Sequence, residues 1–493
     1  MESTGNGSIT TSGGTTNGRM ATRAKIVCTL GPSSNSRDVI RQMIEAGMNV
    51  TRHNFSHGTH EDHKALIQTV RAAAKDAGRV IGIMADLQGP KVRVGRFRDG
   101  QVTLPAGGAF VITSRAIEGT AQEVSTTYTG LPQDVHAGDT LLLDDGLIHL
   151  TVEKVDGPDI RCRVVVGGVL KNNKGINVPA AALSVPAITE KDFEDARFAV
   201  EQGVDFLAMS FVRRPDDVIR MREFLAGLNC EVPIITKVEK PQALEVIDHI
   251  IAVSDGIMVA RGDLGVEMPT EEVPAIQKQL IAKCNRQGKP VITATQMLES
   301  MVTNPRPTRA EASDVANAVL DGSDAVMLSA ESASGKYPVQ AVSTMKRIIY
   351  ATEQARTKIA PTNFRRSQGG TLLVNEGIAI AACTLADQVN ARAIASITLS
   401  GSMAQQIAKY RPTKPIYAVS QHEAVLRRLA MTWGVDGLYM GDLTTHIDEA
   451  LREVEAAMVR AGCLAVGDYL VLTAGQPFSE RQATNMVRVD RVR

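Results

Sequence analysis

The chain has 493 residues, 44% of them hydrophobic and 22% charged, enough apolar content for a substantial core and enough length for more than one domain. Its 54 Lys plus Arg balance 54 Asp plus Glu, and aromatics make up only 4%, so neither bulk charge nor a base-stacking surface points to nucleic acid or an anionic membrane. No apolar run approaches the roughly 18 residues a membrane span needs, and the six cysteines are widely spaced without a Cys-x-x-Cys pair, a pattern of reduced cytoplasmic thiols rather than disulfides or a zinc site.

Residues 1–22 are dominated by Gly, Ser, Thr and Asn and lack the apolar stretch of a secretory signal. They cannot bury enough surface to fold and read as a disordered tail. From Ala24 a rhythm begins, in which short β-branched runs alternate with amphipathic helical segments. AKIVCTL, MNVTRHN and VIGIMAD are the first three strands, with SRDVIRQMIEAG and HEDHKALIQTVRAAAKDAG as helices between them. After VIGIMAD comes an interruption of roughly a hundred residues, too long for a loop in a compact domain. Its segments GAFVITS, DTLLLDDGLIHLTVEKV and DIRCRVVVGGVL alternate with period two. They predict a small β-barrel domain able to act as a lid. The rhythm then resumes with TEKDFEDARFAVEQG as a helix and VDFLAMSF, VPIITKVE, DGIMVARGD, PVITATQ and DAVMLSAE as strands four to eight. PQALEVIDHIIAVSDG reads as one further helix. Eight strands and eight helices predict an α/β fold, a (β/α)8 TIM barrel, its parts at 23–88 and 186–355 flanking an insert at 89–185. The remainder, 356–493, predicts an open-sheet α/β domain with strands IASITLS, PIYAVS and YLVLTAG. In it, TLSGSMAQQIAKYRP runs from a strand through Ser400-Gly401-Ser402 into a helix, a pattern that serves either anion binding or plain capping.

Chemistry in a barrel collects at the C-terminal ends of the strands. Those ends carry Arg52 and Asn54, Asp86, Ser210, Lys237 and Glu239, Asp263, Thr295, and Ser329 with Glu331. Lys237 and Glu239 are two apart on one strand and leave by the same face. Asp263 closes the next strand, and neighbouring strands lie only about 5 Å apart. Carboxylates that close repel unless a proton or cation separates them. Oxygen donors without clustered His or Cys point to a hard ion, Mg2+ or Mn2+, whose shell is completed by water and substrate oxygens. Arg52, Arg93 and Lys237 supply the positive charge a phosphate requires, and no Walker-type or kinase glycine loop is present. Phosphoryl transfer therefore leads as the reaction class, with metal-assisted enolate chemistry as the alternative.

The motifs NFSHG with Arg52 just ahead, KVEKPQAL, SDGIMVARGDLGVEMP, ITATQMLESM, NPRPTRAEASDVANAVLDGSDAVMLS and KYP together resemble pyruvate kinase over nearly the whole chain from Arg23. The resemblance implies transfer of the phosphoryl group of phosphoenolpyruvate to ADP, giving pyruvate and ATP. It implies Glu239 and Asp263 as Mg2+ ligands, Lys237 as the catalytic lysine and Arg52 as a ligand of the substrate phosphate. Gly262 and Thr295 match the substrate's carboxylate end, Ser210 and Asp263 join the substrate set, and Arg93 and Lys191 match nucleotide-site positions. Thr295, through water and Ser329, lies on the route that protonates enolpyruvate. A homotetramer and a phosphorylated effector on the C-terminal domain are implied as well.

Two departures from the family pattern stand out. Potassium-requiring members read Asp-Thr-Lys-Gly-Pro-Glu after the third strand, whereas this chain reads Asp86-Leu87-Gln88-Gly89-Pro90-Lys91. Asn54, Ser56 and Asp86 match three K+ ligands, but the threonine hydroxyl is gone and Lys91 replaces the glutamate. The combination resembles the potassium-independent branch, in which a lysine ammonium fills the monovalent-cation pocket. Near the C-terminus, PFSERQATNM stands where activator-binding relatives carry a Gly-rich loop. Arg481 remains there to hold a phosphate, but the close backbone approach of glycine is lost. Two readings compete with the kinase: a Mg2+-dependent barrel lyase acting on a carboxylated enolate, separable by ADP dependence, and a catalytically dead sensor. Retention of Lys237, Glu239 and Asp263 speaks against the latter.

Overall fold

The computed structural model describes residues 20–179, 183–359, 373–441, 443, 447–476 and 483–493. The expected tail up to residue 19, most of the 356–372 junction, and the 477–482 segment with Arg481 lie outside the described residues. Eight parallel strands close a barrel: Lys25–Thr29, Val50–Asn54, Gly82–Asp86, Phe206–Met209, Ile234–Val238, Gly256–Ala260, Val291–Ala294 and Ala325–Leu328. The eighth strand pairs back onto the first, Ala325 opposite Lys25. These are the eight strands expected, each at its expected place. Most are apolar on both faces because one face packs under the helices while the other fills the barrel with Val27, Met84, Ile235, Met258, Ile292 and Met327; the second, VTRHN, is the polar exception.

Local side-chain chemistry starts several of the helices. Thr59 with Asp62, Thr189 with Asp192 and Thr308 with Glu311 form reciprocal capping boxes. The segment expected as one helix at 241–256 is two, Pro241–Glu245 and Ile247–Val253, broken at Val246.

The opposite rim of the barrel has its own repeat. Asn49, Asp205, Asp255 and Asp324, each just ahead of an even-numbered strand, accept a hydrogen bond from the backbone of the preceding odd-numbered strand. The donors are Ile26, Ile83, Ile234 and Val291 N–H, at 2.9, 2.8, 2.8 and 3.1 Å. Arginines complete three of these clasps: Arg71 on Asp205, Arg222 on Asp255 and Arg411 on Asp324. Arg411 belongs to the C-terminal domain, as does Arg427, which also binds Asp205 at 2.8 Å. Ala430 and Met431 join the cluster inside the barrel, so the C-terminal domain closes this mouth.

The insert differs in one respect from the small barrel expected. Among the described residues it is an open six-stranded sheet with a separate two-stranded ribbon, a half-barrel around Phe110, Ile112, Leu141, Leu150 and Val164. Its strands at Ala109–Thr113, Thr140–Leu143, Ile148–Asp156, Asp159–Val166 and Gly168–Lys171 fall in the expected segments. The C-terminal domain is a five-stranded sheet, three strands of it expected. The two not anticipated are Val435–Tyr439 and Met486–Arg491. The first contains Asp and Gly, and the second is a charge-rich edge strand running antiparallel to Tyr469–Ala474. No helix among the described residues is long and apolar enough to cross a membrane, and all six cysteines are free.

Candidate active site

Strand register assembles the expected residues at one rim. Arg52 sits beside Met84, and Asn54 beside Asp86, on strands two and three; Asp86 in turn lies beside Ala208 on strand four. Lys237 and Glu239 leave the end of strand five. The Lys237 ammonium donates to Ser210 Oγ at 2.7 Å and pairs with Glu239 Oε1 at 2.7 Å and Asp86 Oδ1 at 3.3 Å. The Ser210 hydroxyl in turn donates to the Leu87 carbonyl at 2.7 Å. Arg52 Nε binds Asp86 Oδ2 at 2.5 Å, and its Nη1 donates to Thr29 Oγ1 at 3.0 Å.

The charges hold one another in place. Burial works against ionisation of Asp86, but Arg52 and Lys237 outweigh it and the carboxyl lies below its usual range. Burial also opposes the Lys237 charge, yet Asp86 and Glu239 together hold the ammonium above the usual lysine range. Glu239 is pushed up, first by burial; Lys237 opposes the shift and Asp263 adds to it.

Asp263 is not on strand six, which ends at Ala260. It occupies the first turn of a short helix, Arg261–Glu267. The preceding Arg261 clamps Asp314 with two hydrogen bonds of 2.7 Å and holds the Thr295 carbonyl at 2.8 Å. Gly262 N–H donates to Thr295 Oγ1 at 2.8 Å, and a Cβ at 262 would sit 3.3 Å from that hydroxyl. Thr295 itself has a left-handed φ of 69°, a costly conformation for a β-branched residue. Its hydroxyl donates to Ala294 O at 2.6 Å. Among the described residues no hydrogen bond joins Thr295 to Ser329, whose amide is instead capped by Glu331 at 2.7 Å. Glu331, fully buried, also takes the Leu298 amide at 3.0 Å, which makes it a support for these loops.

The two residues expected to serve the nucleotide sit at the periphery. Arg93 lies in the insert with Nη1 on the Asn173 carbonyl at 3.0 Å. Lys191 is tied to Asp195 at 2.5 Å and to the Phe55 carbonyl at 3.1 Å, while Asp195 also holds His60 Nε2 at 2.7 Å. In the cation-pocket group, Asn54 Oδ1 accepts from Ser56 N at 3.1 Å and Leu87 is buried. Lys91 does not touch Asp86, whose partners are Arg52 and Lys237. Its half-buried side chain lines the cleft between insert and barrel together with Asn177, Phe211, Arg213, Lys240 and Asp263. Its charge is felt at His57, whose pKa is lowered by burial and then by Arg93, Lys91 and Arg52.

Several members of the site were not singled out from the sequence: Phe211, Lys240, Glu267, Asn177 and Asp195. Lys240 was visible inside KVEKPQAL, but its partner is 27 residues away. On the C-terminal domain, Thr398 Oγ1 accepts from Gly401 N at 2.8 Å and Gly401 adopts φ 87° ahead of helix Ser402–Lys409. The amide of Ser402, the first residue of that helix, donates to Ser400 Oγ at 3.4 Å, and Ser400 Oγ donates to Ser402 Oγ at 3.1 Å, so these hydroxyls serve the turn into the helix.

The donor set suits a hard divalent cation. Glu239 and Asp263 offer oxygen only, and a cation held by them would offset both the burial and the Asp263 repulsion that push Glu239 up. Among the described residues no third His, Cys, Asp or Glu completes a cage, which leaves coordination open for water and substrate oxygens.

Residues 21–342 match the family described as pyruvate kinase, barrel domain, and residues 376–490 match pyruvate kinase, alpha/beta domain. The pyruvate kinase of Geobacillus stearothermophilus is 49% identical over 473 residues, spanning 95% of this chain and 80% of the relative. That of Staphylococcus epidermidis is 46% identical over 471 residues with the same coverage. A crystal structure of a pyruvate kinase from Cryptosporidium parvum superimposes with a TM-score of 0.87 at 36% identity, covering 96% of both chains. The chain belongs to the pyruvate kinase family, and it is an enzyme that transfers the phosphoryl group of phosphoenolpyruvate to ADP, giving pyruvate and ATP.

Proposed function

We propose that the cluster around Lys237 is where the phosphoryl group moves. The observation that carries this reading is the buried ammonium of Lys237, held between Asp86, Glu239 and Ser210 at the end of strand five. Phosphoryl transfer asks little covalent chemistry of a protein and much electrostatic positioning. Lys237 is already fixed by three oxygen partners, so its charge needs no reorganisation when negative charge develops between donor and acceptor. Arg52 commits Nε to Asp86 and Nη1 to Thr29, which leaves Nη2 as the donor for the substrate phosphate. A divalent ion on Glu239 and Asp263, when bound, supplies further positive charge to the phosphoryl and carboxylate oxygens. Gly262 and Thr295 define the carboxylate end of the substrate. The Thr295 hydroxyl orders the water that protonates enolpyruvate, with Ser329 on that route, since a threonine is a poor acid in its own right. Arg93 and Lys191 serve the nucleotide.

Glu239→Gln and Asp263→Asn each test the metal assignment. Each variant should need higher Mg2+ for half-maximal activity, and excess Mg2+ should restore part of the rate. Wild-type Mg2+ titrations for both variants would place the ion elsewhere.

The reading extends to independence from K+. What supports it is the apolar, buried Leu87 where a ligand hydroxyl is absent, and the concentration of fixed positive charge from Arg52, Lys91 and Arg93 around His57. Activity in buffer free of Na+ and K+ should be close to full. Lys91→Glu replaces a positive with a negative charge at the cleft and should depress turnover strongly. Added K+ should recover part of the loss, and Leu87→Thr more, whereas Lys91→Met should respond to K+ weakly. Strong K+ activation of the unmodified enzyme would overturn this assignment.

In domain terms, 23–88 and 186–355 form the barrel, 89–185 the lid and 356–493 the regulatory unit. Family membership carries the further expectation of a cytoplasmic homotetramer with a phosphorylated effector on the C-terminal domain.

A further inference from the structure

Glu267 ends the short helix that begins with Arg261 and Asp263, and it is 4% exposed. One of its oxygens, Oε1, accepts from two donors on different domains: Lys240 Nζ at 2.5 Å and Asn177 Nδ2 at 2.6 Å. Lys240 follows Glu239 directly on the barrel. Asn177 lies in the last strand of the insert, Ile176–Asn177, whose Ile176 and the neighbouring Val178 are part of the insert's own core. Through this oxygen a lid side chain and a barrel side chain share a single anchor.

The anchor reaches both candidate metal ligands. On one side Glu267 stands one helical turn beyond Asp263 in the same helix. On the other, the Lys240 ammonium it holds lies 5.5 Å from the centre of the Phe211 ring, and the Phe211 amide donates to Glu239 Oε2 at 2.9 Å. Phe211 keeps a left-handed φ of 57°, which a bulky residue adopts only where its surroundings impose it. Lys240 over its ring and Glu239 on its amide are two such constraints.

We infer that Glu267 is a positioning residue that docks the lid onto the barrel through Asn177 and, by the same carboxylate, sets Lys240, Phe211 and hence Glu239. This rests on the reading that Arg93, carried by the same insert, serves the nucleotide: the docked lid presents that arginine, and the undocked lid withdraws it.

The test uses the full-length enzyme with Asn177→Ala, Glu267→Gln, their combination, and Arg93→Ala. Loss of one charge-assisted hydrogen bond corresponds to about a tenfold change in a docking equilibrium. Asn177→Ala should therefore raise KM for ADP by up to about tenfold, with KM for phosphoenolpyruvate within about twofold of the original. Without any ligand, backbone amide exchange in 261–267 should quicken while the melting temperature holds. The double variant should be no worse than Glu267→Gln alone, because both changes break one contact. Unchanged KM for ADP with unchanged exchange in Asn177→Ala, or fully additive effects in the double variant, would overturn the inference. Arg93→Ala separates the two layers: if it raises KM for ADP and Asn177→Ala does not, the latch falls and the nucleotide reading stands. If Arg93→Ala leaves KM for ADP unchanged while Asn177→Ala quickens exchange, the nucleotide reading falls and the docking contact stands.

Discussion

Lys237→Met is expected to lower kcat at saturating substrates and Mg2+ by at least about 10²–10³-fold, the cost of removing one preorganised charge from a developing negative centre. Methionine is unbranched and one atom shorter than lysine, so the change removes the charge with only a small change in volume. The consequences for the surrounding groups follow from the geometry. Asp86 keeps Arg52 at 2.5 Å, so its charge remains balanced. Glu239 loses the partner at 2.7 Å and keeps only the Phe211 amide, with Asp263 nearby adding repulsion. Its carboxyl, already above the usual range, should rise further and bind a proton more readily, so Mg2+ affinity should fall more steeply as pH is lowered than in the unmodified enzyme. The sign for Lys237 is the reverse of that for a carboxyl. A lysine held above its ordinary range contributes stability that is complete below about pH 10, its unfolded value, and is lost only as pH rises past the folded one. The full contribution is therefore at stake at neutral pH. Steady-state kinetics over a Mg2+ series, beside circular dichroism to confirm the fold, read both effects. A variant retaining more than about a tenth of wild-type kcat would remove Lys237 from the chemistry.

Arg411→Met should loosen the C-terminal domain from the barrel at a cost of about 3–5 kcal/mol, the range for removing one partner of a buried ion pair. Arg411 is 5% exposed, pairs with Asp324 at 2.9 Å and also donates to Asn285 at 2.8 Å and the Gly322 carbonyl at 2.9 Å. Without it, Asp324 keeps the Val291 and Trp433 amides but no neutralising charge. The single tryptophan of the chain, Trp433, reports on this junction directly, because the Arg411 guanidinium lies 4.9 Å from the centre of its ring. Denaturant titration followed by Trp433 emission should show its transition at lower denaturant, separated from the loss of barrel ellipticity. Adding Asp324→Asn should restore part of the stability, since the unpaired charge is then gone. A Trp433 transition within about 0.5 kcal/mol of the original, the range of an ordinary surface substitution, would make this pair incidental to domain docking.

Much of the architecture was determined by the sequence alone. Eight apolar β-branched runs with period-3.6 segments between them are a local pattern, and a parallel strand buried on both faces must read that way wherever it occurs. The same locality made Lys237 and Glu239 legible as a pair, because two residues on one strand share a face. The quoted motifs resemble the family over the chain from Arg23, and that resemblance supplied the reaction.

Tertiary structure decided what depends on partners distant in sequence. Asp263 was expected at the end of strand six, but the chain turns into a helix after Ala260 and places it in that helix's first turn. Asp86 is taken by Arg52 and by Lys237, the latter contributed by a strand about 150 residues on, and Lys91 lines the cleft between insert and barrel. Val435–Tyr439 and Met486–Arg491 become strands because sheet neighbours satisfy their backbone groups, against weak local propensity. Lys240 and Glu267 lie inside quoted motifs, but nothing local pairs them with each other or with Asn177. A charge pattern in sequence states which side chains are available, and only the packing that removes them from water decides which of them must pair.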